Sequence, residues 1–93
     1  MQKIRTTVKI AGKDYTITSY DDEAYVQRVA TYVDRRMEEL SAAVKLPSAQ
    51  LAVLTAMNVT DDMLKAHDEI RRLRAEIAEV RAENEALRKE AER

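Results

Sequence analysis

From Ser48 to Arg93 the chain has neither glycine nor proline, and good helix formers dominate the stretch. Nothing there supplies a turn, so the sequence predicts one helix from Ser48 to about Ala91. At 1.5 Å per residue it would run for about 65 Å, too long to fold back into its own small globule. Its first part, L-A-V-L-T-A-M-N-V, is apolar nearly all round, which predicts burial on several sides. The second part repeats every seven residues. With Ile70 at heptad position a, Met63, Ile77, Asn84 and Ala91 share that position, and Ala66, Leu73, Val80 and Leu87 take d. Sustained over about four heptads, this is a coiled-coil seam.

The flanks of the seam carry an orientation. Arg74, Arg81 and Arg88 occupy e, and Glu69, Glu76, Glu83 and Glu90 occupy g. In a parallel pair, g of one chain faces the next e of the other, matching Glu69 with Arg74, Glu76 with Arg81 and Glu83 with Arg88. An antiparallel pair sets Arg against Arg and Glu against Glu. Each exposed pair contributes only a few tenths of a kcal/mol, yet reversing all of them turns gains into costs, so the signs select the parallel form. Asn84 at a agrees, because only an in-register parallel partner guarantees it a matching Asn.

Ahead of the long helix, Lys45-Leu46-Pro47 ends an earlier one, since proline disfavours helical geometry in the residue before it. Ser48 follows as a natural N-cap. The earlier helix spans about 22–44, with Val26, Val29, Ala30, Val33, Met37, Leu40 and Val44 as its apolar stripe and Ser19 or Asp21 as its cap. Tyr25 and Tyr32 flank the stripe, while Arg28, Asp34, Arg35, Glu38 and Glu39 form a solvated face. Asp21, Asp22 and Glu23 suit a helix start rather than a metal site.

Residues 4–19 alternate in polarity with period two, predicting a hairpin. A Gly12-Lys13 loop in a type II′ turn would pair Ile10 with Tyr15, Val8 with Ile17 and Thr6 with Ser19, keeping the apolar residues on one face. A lone hairpin is marginal in water, so this one must lie on the following helix or on a partner chain. The fold class is therefore α+β: an N-terminal β-hairpin, one amphipathic helix, then one long helix whose C-terminal half forms a parallel dimeric coiled coil. Residues 1–66 make a globular dimerising head and 67–93 the stalk.

Composition excludes much chemistry. The net charge is −1, and the signs stay mixed on both sides of Pro47, so no basic field exists to collect phosphates. Arg71, Arg72 and Arg74 would be the basic region of a nucleic-acid-binding module, but Asp68, Glu69 and Glu76 interrupt them and Leu73 lies in the seam. A chaperone of the prefoldin sort is the other alternative, although there the hairpin lies between the helices. With no cysteine, one histidine and one glycine, the chain lacks thiolate chemistry and a phosphate-cradling loop. His67, at e, reads as a surface residue. Asp61 and Asp62 point about 100° apart and share no site, Asp61 falling on the Leu51, Leu54, Asn58 side within reach of a neighbouring element. No enzyme, cofactor or metal is expected. The N-terminus lacks a signal core and no apolar run approaches the roughly 20 residues of a membrane span, which predicts a cytoplasmic protein and makes the Asn58-Val59-Thr60 sequon irrelevant.

Three stretches, I-A-G-K-D-Y-T-I, Y-V-Q-R-V-A-T-Y-V-D-R-R-M and L-A-V-L-T-A-M-N-V-T-D-D-M-L, resemble the ZapA family of bacterial cell-division proteins in content and order. The resemblance covers about residues 3–70, with Thr60 standing where a small apolar residue is expected. It implies a cytoplasmic dimer with paired heads, able to join through its stalks into an antiparallel tetramer, that binds, cross-links and bundles polymers of the tubulin-like protein FtsZ and promotes Z-ring assembly at the division site. The expected contact surface is the hairpin tip and the charged face of the first helix: Lys13, Asp14, Arg35, Arg36, Glu38 and Glu39.

Overall fold

The computed structural model describes residues 2–93. Strands β1 (Ile4–Ile10) and β2 (Lys13–Ser19) form an antiparallel hairpin, followed by helices α1 (Glu23–Ala43) and α2 (Ser48–Ala91). The α+β class and the order of elements are those expected.

The hairpin register differs from the expectation by two residues: Ile10 pairs with Lys13, Val8 with Tyr15, Thr6 with Ile17 and Ile4 with Ser19. The loop is Ala11-Gly12, and both residues have positive φ, 53° and 79°, as a type I′ turn requires. Type I′ and II′ turns both match the right-handed twist of the strands; here the Ala11 N–H at the first loop position is taken by Asp34, which supports the Ala11-Gly12 loop. A shift of two leaves every side chain on its predicted face. Ala11 bears a cost of about 1 kcal/mol for its left-handed conformation.

Helix α1 is capped by Asp22, whose Oδ1 accepts the Tyr25 N–H at 2.8 Å. Neither Ser19 nor Asp21 takes this role; the Ser19 hydroxyl instead accepts the Asp21 N–H and closes the bend before the cap. Val44 ends the helix in an extended conformation that leads towards Pro47. In α2 the Pro47 carbonyl accepts the Leu51 N–H, so Ser48 is the first helical residue and not the cap.

Helix α1 lies on β1, and Val8, Val26 and Ala30 form the core with Ile10 packed against them. Met37, Leu51 and Thr55 are also buried. Two α1 side chains seven residues apart reach the outer edge of β1. Gln27 Nε2 donates to the Thr7 carbonyl and Asp34 Oδ1 accepts the Ala11 N–H, both at 2.8 Å. Asp34 is therefore no member of a solvated face; it holds the turn whose first residue is strained. The chain divides into two compact units, the first ending at Met57 and the second running Asn58–Arg93.

Candidate functional site: apolar faces open to a partner

In the first unit, α1 covers only half of the hairpin's apolar face. Val8 and Thr6 of β1 are buried, but their cross-strand neighbours Tyr15 and Ile17 remain 46% and 40% exposed. Beside them opens a groove of about 550 Å³ whose apolar walls include Ile10, Val33, Met37 and Ala52. Tyr25, Val29 and Tyr32 continue along an exposed flank of α1, and Val53 and Met57 stand exposed on α2. The L-A-V-L-T-A-M-N-V segment is thus buried on one side within the chain, through Leu51 and Thr55, while its other side remains open.

The flank has its own order. Residues 25–28 and 32–35 read Y-V-Q-R and Y-V-D-R, and the first three positions each play one part twice. The valines turn inward, Gln27 and Asp34 secure β1, and the tyrosines face outward with arginines beside them. The Arg28 guanidinium lies 5.3 Å from the Tyr25 ring centre and that of Arg36 lies 5.4 Å from Tyr32. Arg36 also donates to the Tyr32 hydroxyl at 2.7 Å. Such pairs stiffen exposed aromatic side chains at about 0.5–1 kcal/mol each.

In the second unit, the seam side chains line one face of α2. Met63, Ile70, Leu73, Ile77, Val80 and Leu87 are between 43% and 62% exposed, and Ala66 and Asn84 are exposed with them. Isolated apolar residues are ordinary on a surface, but a row at heptad spacing is a face that water penalises. Among the flanking residues, Glu69 and Glu76 are held within the helix by Arg72, through hydrogen bonds at 3.0 Å and 2.5 Å. The Glu69 contact raises the Arg72 pKa above its ordinary value. Lys65 likewise pairs with Asp61, so Asp61 serves its own helix rather than a neighbouring element. Arg74, Arg81, Glu83 and Arg88 are exposed beside the seam.

The six charged residues expected at a partner surface do not form one patch. Lys13 and Asp14 are exposed at the hairpin tip, and Glu38 borders a cleft there with Ala11 and Asp34. Arg36 is turned to Tyr32, about 160° around the helix from Glu38, with Arg35 and Glu39 exposed on the outer face. Among the described residues, no group of three or more His, Cys, Asp or Glu side chains is placed to hold a metal, and no single helix is long and apolar enough to cross a membrane.

The sequence marked the heptad face but not the exposure of Tyr15, Ile17, Val29, Val53 and Met57. Their apolar periodicity was legible; which of them the chain covers itself was not.

These features define an α+β protein with a long C-terminal helix and exposed apolar faces on its hairpin and both helices. Comparison with known proteins gives the family. The family model described as cell division protein ZapA matches residues 6–91. The ZapA of Halalkalibacterium halodurans is 45% identical over 71 residues, covering 75% of this chain and 78% of that protein. The ZapA of Shouchella clausii is also 45% identical, over 64 residues that cover 68% and 82%. Among solved structures, a ZapA mutant dimer from Geobacillus stearothermophilus superposes with a TM-score of 0.66 at 38% identity, covering 83% of this chain and 91% of that one. A conserved bacterial protein of unknown function from Pseudomonas aeruginosa superposes with a TM-score of 0.63 at 32% identity, covering 96% and 97%. The chain belongs to the ZapA family of cell division proteins.

Proposed function

We propose that this chain is a non-enzymatic, cytoplasmic division protein that binds FtsZ polymers, cross-links and bundles them, and promotes Z-ring assembly at the division site. The observation that carries the reading is the exposed heptad face of α2 in a ZapA-family chain. That face is completed by a second copy, and a second copy doubles every head surface, so weak contacts with a repeating polymer gain avidity. The dimeric state of the solved relative supports the pairing.

The pairing is parallel on this reading, by the sign pattern of Glu69, Glu76 and Glu83 against Arg74, Arg81 and Arg88. Arg72 tempers the gain, because Glu69 and Glu76 already have a cation on their own helix. Two parallel dimers meeting tail to tail through their stalks would give an antiparallel tetramer with head pairs at both ends, the geometry of a cross-linker.

The partner contacts in this proposal lie in separate places: Lys13 and Asp14 at the hairpin tip with Glu38 near them, and Arg35, Arg36 and Glu39 on other sides of α1. The test is co-sedimentation with FtsZ assembled in GTP. Changing Lys13, Arg35 and Arg36 together to glutamate is expected to abolish both pelleting with the polymer and bundling. Unchanged pelleting and bundling would show that these contacts are the wrong ones.

A further inference from the structure

We infer that the free edge of β2 pairs with the same edge of a second copy, joining two hairpins into one four-stranded antiparallel sheet. The inference rests on the dimeric reading above and specifies a contact in the head that the seam does not supply.

The first support is that one sheet edge is closed and the other open. In an antiparallel ladder, alternate residues turn their N–H and C=O groups outward. With a two-residue turn between Ile10 and Lys13, the outward set on β1 is Arg5, Thr7 and Lys9, followed by Ala11 in the turn; on β2 it is Asp14, Thr16 and Thr18. Two members of the β1 set confirm this phase, since the Thr7 carbonyl is taken by Gln27 and the Ala11 N–H by Asp34. Helix α1 thus occupies the β1 edge. Strand β2 has no such cover, and its residues from Lys13 to Thr18 are all exposed. An open edge beside exposed Tyr15 and Ile17 is a template for another strand.

The second support is that β2 is complementary to itself in one register. Centred on Thr16, an antiparallel copy sets Thr16 opposite the partner's Thr16 and Asp14 opposite the partner's Thr18, where hydroxyl and carboxylate can hydrogen-bond. On the other face it sets Tyr15 opposite the partner's Ile17, and Ile17 opposite the partner's Tyr15. Both bare apolar residues of each chain are then matched across the junction, as cross-strand pairing favours. The neighbouring registers do worse. Centred on Tyr15, Ile17 faces the partner's Lys13; centred on Ile17, Tyr15 faces the partner's Ser19; centred on Asp14, two carboxylates oppose each other. The two-fold that relates the strands keeps both α1 helices on the same face of the sheet, as a closed dimer requires.

The chain has no cysteine, which makes a single engineered thiol a clean probe. In this register the two Thr16 Cα atoms lie about 5.5 Å apart, within disulfide range. The full-length Thr16→Cys chain is expected to form a covalent dimer under mild oxidation, and Leu73→Cys, in the seam, reports separately on the parallel stalk. Cross-linking at Leu73→Cys but not at Thr16→Cys overturns the β2 pairing, leaves the dimer standing and gives the edge to a different occupant. Cross-linking at neither overturns both readings. Thr16→Pro is the second variant: it removes an N–H that the hairpin itself does not use, so the hairpin persists. It is expected to weaken the full-length dimer on the order of tenfold with an unchanged helical circular-dichroism signal. Full-strength association by Thr16→Pro refutes the pairing.

Discussion

Replacing Ile77 by glutamate tests whether the exposed heptad face is an interface. Ile77 sits at a central a position and is 50% exposed. Burying a whole isoleucine is worth about 1.5–3 kcal/mol, and roughly half of that remains to be gained on pairing. The loss is therefore about 1 kcal/mol per chain and about 2 kcal/mol per dimer. The substitution also brings two carboxylates together at the seam, where each forfeits part of its hydration at a cost of about 1 kcal/mol. The sum is about 4 kcal/mol, or roughly a thousandfold in the dimer dissociation constant. The assay is mass in solution across a concentration series, by sedimentation or light scattering. The wild type should associate at concentrations where Ile77→Glu is largely monomeric, and any tetramer should be lost first. Ala75→Glu, at f on the opposite side of the helix, should behave as wild type. An unchanged mass for Ile77→Glu, or equal weakening by Ala75→Glu, would refute the seam assignment.

Two further substitutions probe the head. Asp34→Ala removes the acceptor for the Ala11 N–H and leaves a left-handed alanine unsupported, so it should cost about 1–2 kcal/mol, with Asp34→Asn between it and wild type; a denaturant melt indistinguishable from wild type would mean that the hydrogen bond is immaterial. Thr6 is fully buried and its hydroxyl has no hydrogen-bond partner among the described residues, so Thr6→Val, of nearly the same shape, should stabilise the chain by about 1 kcal/mol and raise its melting temperature by several degrees; a lower melting temperature would reveal a partner for that hydroxyl.

The elements were legible in the sequence because each has a strong local cause: period-two alternation for the hairpin, a three-and-four spacing for α1, and the absence of any turn residue in α2. The turn lies one residue earlier than expected, and the register therefore shifts by two, because a glycine with positive φ serves both type I′ and type II′ turns, and alanine gives no hint that it will take the left-handed position. The parity of the shift is why the predicted faces survived. Gln27 and Asp34 flank the apolar stripe and look like solvent residues in the sequence. Their roles depend on the position of β1's outward backbone groups, which periodicity does not encode. The same limit applies to Tyr15 and Ile17: alternation marks them as apolar, whereas only packing shows that α1 stops short of them.

The identities of Gln27 and Asp34 follow from the two lattices they connect. Seven helical residues rise about 10.5 Å, whereas the four strand residues from Thr7 to Ala11 span about 13.6 Å. A pair of equal side chains would fall about 3 Å short. Gln27, one methylene longer than Asp34, lies at the end far from the turn and supplies part of the added reach. It also brings a donor to a carbonyl, while Asp34 brings an acceptor to an N–H, so an ionised aspartate could not take the place of Gln27. This fixes α1 over β1 and closes that edge to other strands. Had α1 lain centrally over the sheet, Tyr15 and Ile17 would be covered and neither edge secured. The off-centre position leaves one edge and half of one face unfilled, side by side, on the same strand. A partner that satisfies the backbone of β2 must therefore also approach its bare apolar side chains.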